Sequence, residues 1–260
     1  MKTTSTSNAN LVLPAGKFYN QSFYDWQMSA SLESARIYLR HLWNYIQPRS
    51  VLDVGCGRGT WLKACGELGS DTLVGYDGPW NDKSQMLDPE IVFRAGDLND
   101  GFRAEEKIDL AMSLEVAEHL EAKYAERFVE SLCFSADCVL FGAASVGQGG
   151  ANHLNEQMPS YWAVYFEQQG FVPFDLFRPT FWGNEDICYW YRQNTFLYAR
   201  SGSSQYSSLK LAGLNELTNN SFMDCIHPQL YRQKINDPGF LHKLTDLGPS
   251  LVKAIKTRIS

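Results

Sequence analysis

Along the first 200 residues, short apolar runs alternate with longer segments in which apolar side chains recur every three or four positions. The runs are "SVLDV" (50–54), "TLVGYD" (72–77), "IVFRAGD" (91–97), "IDLAMSLEV" (108–116) and "CVLFGAA" (138–144). Each is short and bounded by turn-forming residues, which predicts a buried strand. Leu32, Ala35, Leu39, Leu42 and Ile46 share one helical face between Ser29 and Ile46, and Pro48 stops that helix. "TWLKACGELG" and "EAKYAERFVESLCFSA" predict further helices, the first closed by a C-capping glycine. "PSYWAVYFEQQG" opens on proline and ends on glycine, as helices do. "FVPFDLFRP" and "NTFLYAR" follow as two strands close enough in sequence to pair antiparallel.

This alternation predicts an α/β domain: a seven-stranded, mostly parallel sheet with helices on both faces and an antiparallel last strand. Residues 1–28 read as a leader, 29–200 as the domain, and 201–260 as a C-terminal extension entered through the polar break "SGSSQYSS". A length of 260 residues suits one such domain.

Composition narrows the partners. The chain is 44% hydrophobic and 20% charged, with a net charge of −6. That balance disfavours a general nucleic-acid partner, which needs a basic footprint. Six scattered cysteines without a C-x-x-C pair read as reduced thiols, neither a disulfide framework nor a zinc site. The polar N-terminus does not read as a signal peptide, and no run is long enough to span a membrane. The expected location is the cytoplasm.

Candidate chemistry begins at "VLDVGCGRGTWL" (51–62), where Gly55, Gly57 and Gly59 separate a strand from a helix. Glycines there let backbone N–H groups approach a nucleotide-type ligand at a switch point of an open sheet. Asp53 leads the run, and Asp77 closes the second strand at the distance expected of a ribose-binding acid. Asp97 closes the third strand, where its carboxylate and the next N–H could flank an adenine.

Together, "VLDVGCGRGTWL", "LVGYD", "AGDL" and "IDLAMSLEVAEHL" resemble the seven-stranded S-adenosylmethionine-dependent methyltransferases, in the right order over about residues 30 to 200. The resemblance implies S-adenosylmethionine as cofactor. It places Asp53 near the methionine end, Gly55, Cys56, Gly57 and Gly59 beneath the cofactor, Asp77 on the ribose, and Asp97 with Leu98 by the adenine.

A hydroxyl acceptor needs a general base or a metal, because its free pKa is too high. Glu115, Glu118 and His119 are spaced i, i+3, i+4, so a helix starting there would put all three on one face. His153, in the loop after the fifth strand, could reach the same place. The E-x-x-E-H run with a later histidine is similar to metal-assisted methyltransferases of small-RNA 2′-hydroxyls and to O-methyltransferases of ubiquinone synthesis. That similarity implies Mg2+ or Mn2+ on Glu115, Glu118, His119 and His153. The metal-free alternative stays open: an acid capping a helix, with His119 or His153 as general base.

The loop from Gly147 to Trp162 resembles G-x-G-G-x-x-H-x-N-E-Q-x-P-S-Y-W of bacterial methyltransferases found with sugar- and glycan-modifying enzymes. Asn155 and Glu156 are therefore candidate acceptor contacts, with loop capping as the plainer alternative. Trp182, beside Gly183-Asn184 in an aromatic-rich stretch, is a candidate acceptor platform, while most of its aromatic neighbours read as core. His41, His227 and His242 read as ordinary residues. A short stripe of Leu251, Ile255 and Ile259 near the C-terminus suits packing or a membrane surface.

The expected function is O-methylation of a hydroxyl on a sugar, small polyol or natural-product acceptor. The alternatives are terminal RNA 2′-O-methylation and a non-catalytic cofactor-binding subunit. N-methylation also stays open.

Overall fold

The computed structural model describes residues 21–236 apart from 103 and 105. The elements are α1 (Gln21–Leu42), β1 (Ser50–Val54), α2 (Thr60–Glu67), β2 (Thr72–Asp77), β3 (Val92–Ala95), β4 (Leu110–Leu114), α3 (Ala125–Ser135), β5 (Cys138–Gly142), α4 (Pro159–Gln168), β6 (Phe171–Phe174), α5 (Arg178–Phe181), α6 (Tyr189–Asn194), β7 (Phe196–Arg200), α7 (Ser204–Leu211) and α8 (Pro228–Ile235).

The strands form one seven-stranded sheet in the order β3-β2-β1-β4-β5-β7-β6. β1 runs parallel to β2 and β4, β2 to β3, and β4 to β5, while β7 is antiparallel to β5 and β6. The expected fold class holds, including the antiparallel last strand. Because β1 neighbours both β2 and β4, the connections leaving β1 and β4 depart toward opposite faces. A crevice opens between their carboxyl ends, where such sheets bind ligands. In register, Asp53 stands between Gly75 and Met112, at the floor of that crevice.

Side-chain alternation along the buried strands feeds two cores. Val51, Leu73 and Leu140 pack with Leu39 and Leu42 of α1 and Leu62 of α2. Leu52, Val54, Val139 and Phe141 face the other way, onto Phe128 and Leu132 of α3 and Trp162 and Phe166 of α4. Phe166 stacks on Tyr198 with ring centroids 3.8 Å apart.

Local differences from the sequence expectations have local causes. Helix α1 begins at Gln21, inside the stretch read as leader. It ends at Leu42, after which Tyr45 N–H bonds back to Leu42 O at 2.9 Å in a tighter turn. β6 stops at Phe174, short of Pro179. Asp175 Oδ2 accepts from Arg178 Nε and Nη2 at 2.9 and 2.7 Å, across the start of α5.

The expected flexible break at 201–208 is instead a capped helix: Ser203 Oγ accepts from Tyr206 N–H at 3.1 Å. Beyond it, Leu209, Met223 and Leu230 are buried. Arg178 donates to the Phe222 and Met223 carbonyls, and Asp224 accepts from Ser160 at the start of α4. The described part of the extension is thus packed onto the domain. The leader before Gln21, His242 and the stripe at 251–259 lie outside the described residues. No described helix is long and apolar enough to cross a membrane.

Candidate active site

Gly55, Gly57 and Gly59 all adopt left-handed φ, at 80°, 52° and 77°. Their reasons differ. A Cβ on Gly55 would meet Val116 Cγ2 at 2.3 Å, and one on Gly59 would meet Ile91 Cδ1 at 2.5 Å, whereas nothing lies within 4 Å of one on Gly57. Gly57 therefore faces open space. Its N–H donates to Asp77 Oδ2 at 2.6 Å, while Gly78 N–H donates to Asp77 Oδ1 at 2.6 Å.

Asp53 is buried, and burial with the nearby Asp77 pushes its carboxyl up to about 8. Cys56 turns its side chain inward against Gly75, so only its backbone borders the loop. Asp97 is exposed and accepts from Asn99 N–H at 2.9 Å, with Leu98 buried beside it. The sequence reading missed Asn81, whose buried side-chain amide donates to the Gly57 carbonyl. It also missed Trp80, 78% exposed and folded against Gly78. The only sequence signal for either was the turn-forming "GPWND" directly after Asp77.

At the tip of β4 the expected helix does not form. Glu115 takes a left-handed φ of 58°, and only a short turn, Ala117–His119, follows. The one-face argument for Glu115, Glu118 and His119 fails for that reason. Glu115 is drawn aside by amides: Gln148 Nε2 at 2.5 Å and Asn194 Nδ2 at 2.9 Å. Burial raises its carboxyl even so.

Glu118 is fully buried, and neither carboxylate oxygen makes a well-formed hydrogen bond, although the backbone N–H groups of Glu118 and Ala144 lie close enough to favour its charge. Burial, then Glu115, hold its carboxyl well above the usual range. Its backbone carbonyl accepts from Leu154 and Asn155 N–H at 2.8 and 2.9 Å, which folds the long loop back over it. His153 Nε2 consequently stands 3.9 Å from Glu118 Oε1. The His119 ring meets His153 edge-on at 4.9 Å, with Nδ1 3.2 Å from Asn152 O. Burial and His153 lower the His119 pKa.

Ligand atoms of Glu118, His119 and His153 lie within 4.8 Å of one another, a group that does not include Glu115. A buried carboxylate so weakly partnered costs several kcal/mol unless a cation or proton meets it. The two imidazoles have Nδ1 engaged with protein oxygens, which leaves Nε2 of each as a donor to a metal. Gly150 keeps the place beside His153 Nε2 clear, since a Cβ there would sit 2.2 Å away. The residues fit a divalent ion.

The candidate acceptor contacts divide. Asn155 is buried, its Oδ1 accepting from Gln157. Glu156 accepts from Gly147 N–H, Gly149 N–H and His153 Nδ1. Both side chains organise the loop. Trp182 packs its ring 4.7 Å from that of His227, and its carbonyl accepts from Arg192 Nη1. His227, read as ordinary, is buried and donates through Nε2 to the same carbonyl.

Residues 24–134 match a family model described as a methyltransferase domain. Among solved structures, the chain is similar to a SAM-dependent methyltransferase from Archaeoglobus fulgidus, with 21% identity, covering 58% of this chain and 75% of that one at a TM-score of 0.47. It is also similar to magnesium protoporphyrin IX methyltransferase from Synechocystis with bound SAM, with 16% identity, 72% and 86% coverage and a TM-score of 0.49. No curated protein matches the sequence. The matched stretch runs from α1 into α3 and includes Asp53, the glycine turn, Asp77 and Asp97.

Proposed function

We infer that the chain transfers a methyl group from S-adenosylmethionine to a hydroxyl of a sugar or small polyol, with a divalent ion at Glu118, His119 and His153. The observation that carries the reading is Glu118, buried beside two imidazoles with no well-formed hydrogen bond on either oxygen. The acceptor class rests on the loop pattern from Gly147 to Trp162. Six free thiols suit a reducing compartment such as the cytoplasm.

The cofactor supplies the activated methyl carbon, so the chain's own work is placement and proton handling. Asp77, held on both oxygens by backbone N–H groups, is set to accept from ribose hydroxyls. Asp53 puts a carboxyl at the methionine end, and Gly57 leaves the loop surface bare for close approach. A bound ion would lower the pKa of an acceptor hydroxyl. Two imidazole nitrogens with one carboxylate favour Mn2+ over the all-oxygen preference of Mg2+. A metal-free reading has its own observation: His153 Nδ1 lies 2.8 Å from Glu156 Oε1, a base oriented by a carboxylate.

Mn2+ titration of chelator-treated protein, followed by electron paramagnetic resonance, separates the two. The ion reading predicts one tight site that Glu118→Gln weakens at least about tenfold. Equal Mn2+ binding by wild type and Glu118→Gln would leave His153 as the general base.

A further inference from the structure

We propose that Glu156 is a positioning residue that fixes the His153 proton on Nδ1, so that a bare Nε2 is presented to Glu118. The consequence for chemistry rests on the reaction inferred above. The geometry is that of the folded chain alone.

Three donors converge on this one carboxylate. Oε2 accepts from Gly147 N–H at 2.8 Å, and Oε1 accepts from Gly149 N–H at 2.6 Å and from His153 Nδ1 at 2.8 Å. Gly147 and Gly149 hold left-handed φ of 82° and 77°, which turns their N–H groups toward the same side. Such a concavity of backbone N–H groups binds anions. Here the anion is a side chain of the same loop, so the glycines serve an internal carboxylate and are not free for an acceptor phosphate.

An ionised carboxylate can only accept. Gly147 N–H and Gly149 N–H already donate one hydrogen bond to each Glu156 oxygen, an arrangement that favours the ionised, acceptor-only carboxylate. The proton between Glu156 and His153 therefore sits on Nδ1, and a neutral imidazole then has its lone pair on Nε2. That atom faces Glu118 Oε1 at 3.9 Å and the space beside Gly150 that a Cβ would fill. Without Glu156 the ring would lose its orientation, and its proton would divide between the two nitrogens. A lone pair aimed at Glu118 serves either reading of the site, as ion ligand or as proton acceptor. A carboxylate that merely stapled the loop would affect stability and leave the tautomer alone.

The test is 15N NMR of histidine-labelled, chelator-treated full-length protein in mildly alkaline buffer, with the His153 signal assigned by its loss in His153→Gln. Wild type should show a protonated Nδ1 and a bare Nε2, and Glu156→Ala should show a mixed tautomer. The same variant should bind Mn2+ about 10- to 100-fold more weakly. Should Glu156→Ala not fold, Glu156→Asp keeps the charge but falls a methylene short of Nδ1, and is read the same way. A wild-type proton on Nε2, or a tautomer unchanged in the folded variant, overturns the proposal. Failure to bind cofactor or ion would instead overturn the inferred reaction and leave the tautomer where it is.

Discussion

Asp53 shows what one residue carries at this site. It is buried between Gly75 and Met112 with its carboxyl pushed up to about 8 by burial and by Asp77. Between the ordinary aspartate pKa and that value, the folded state holds a proton that the unfolded chain has released. Stability from this group is therefore fully present at low pH and lost as pH rises toward 8, by at most about 1.4 kcal/mol per pH unit. Asp53→Asn removes that slope. In urea unfolding of the cofactor-free protein, the variant should gain on wild type as pH rises from 5 to 8. Parallel pH profiles would contradict the burial argument.

The grouping of Asp53, Asp77 and the three glycines was legible because it follows from chain order: strand, turn, helix, next strand end. Glu115 was not, because its role is decided by a left-handed φ and by two amides, on Gln148 and Asn194, that come from distant parts of the chain. Nor was the internal use of Glu156. Its residue type suits an acceptor contact, but Gly147, Gly149 and His153 already occupy its oxygens.

At the scale of elements, the β1–α2 turn separates packing from ligand approach. A methyl group on Gly55 runs into Val116, whose neighbour Ala117 opens the short turn leading to Glu118. A methyl group on Gly57 meets nothing in the protein. Gly55→Ala should lose about 2–4 kcal/mol of stability through overpacking and strain together. Gly57→Ala should lose only about 1 kcal/mol from its left-handed backbone, yet bind S-adenosylhomocysteine markedly more weakly. Urea unfolding and calorimetric titration of both variants check the contrast, and equal effects on stability and binding would undo it. Strands were the most readable elements, since a buried parallel strand is a run of apolar residues whatever surrounds it. Helix limits depended on tertiary contacts. Helix α1 extends into the stretch read as leader, and the turn after β4 replaces a helix that the spacing of its acids and histidine suggested.

Across the whole molecule, the extension beyond β7 is tied to the active site by a continuous run of hydrogen bonds. His227 N–H donates to Gln193 Oε1 at 2.6 Å, and Gln193 Nε2 donates to Asn194 Oδ1 at 2.9 Å. Asn194 Nδ2 then reaches both Glu115 and Gln148, each at 2.9 Å. The sequence offered a polar break at 201–208 and no hint of this return, because apart from the Gln193–Asn194 link each contact joins residues far apart in the chain.

Binding of S-adenosylmethionine in the crevice at the carboxyl ends of β1 and β4 is the core of the proposed function. Its most direct test is calorimetric titration of the full-length protein with S-adenosylhomocysteine, beside Asp77→Asn. One site per chain is expected, weakened about tenfold or more when the Asp77 carboxylate is replaced. No saturable binding, or equal binding by wild type and Asp77→Asn, would contradict it.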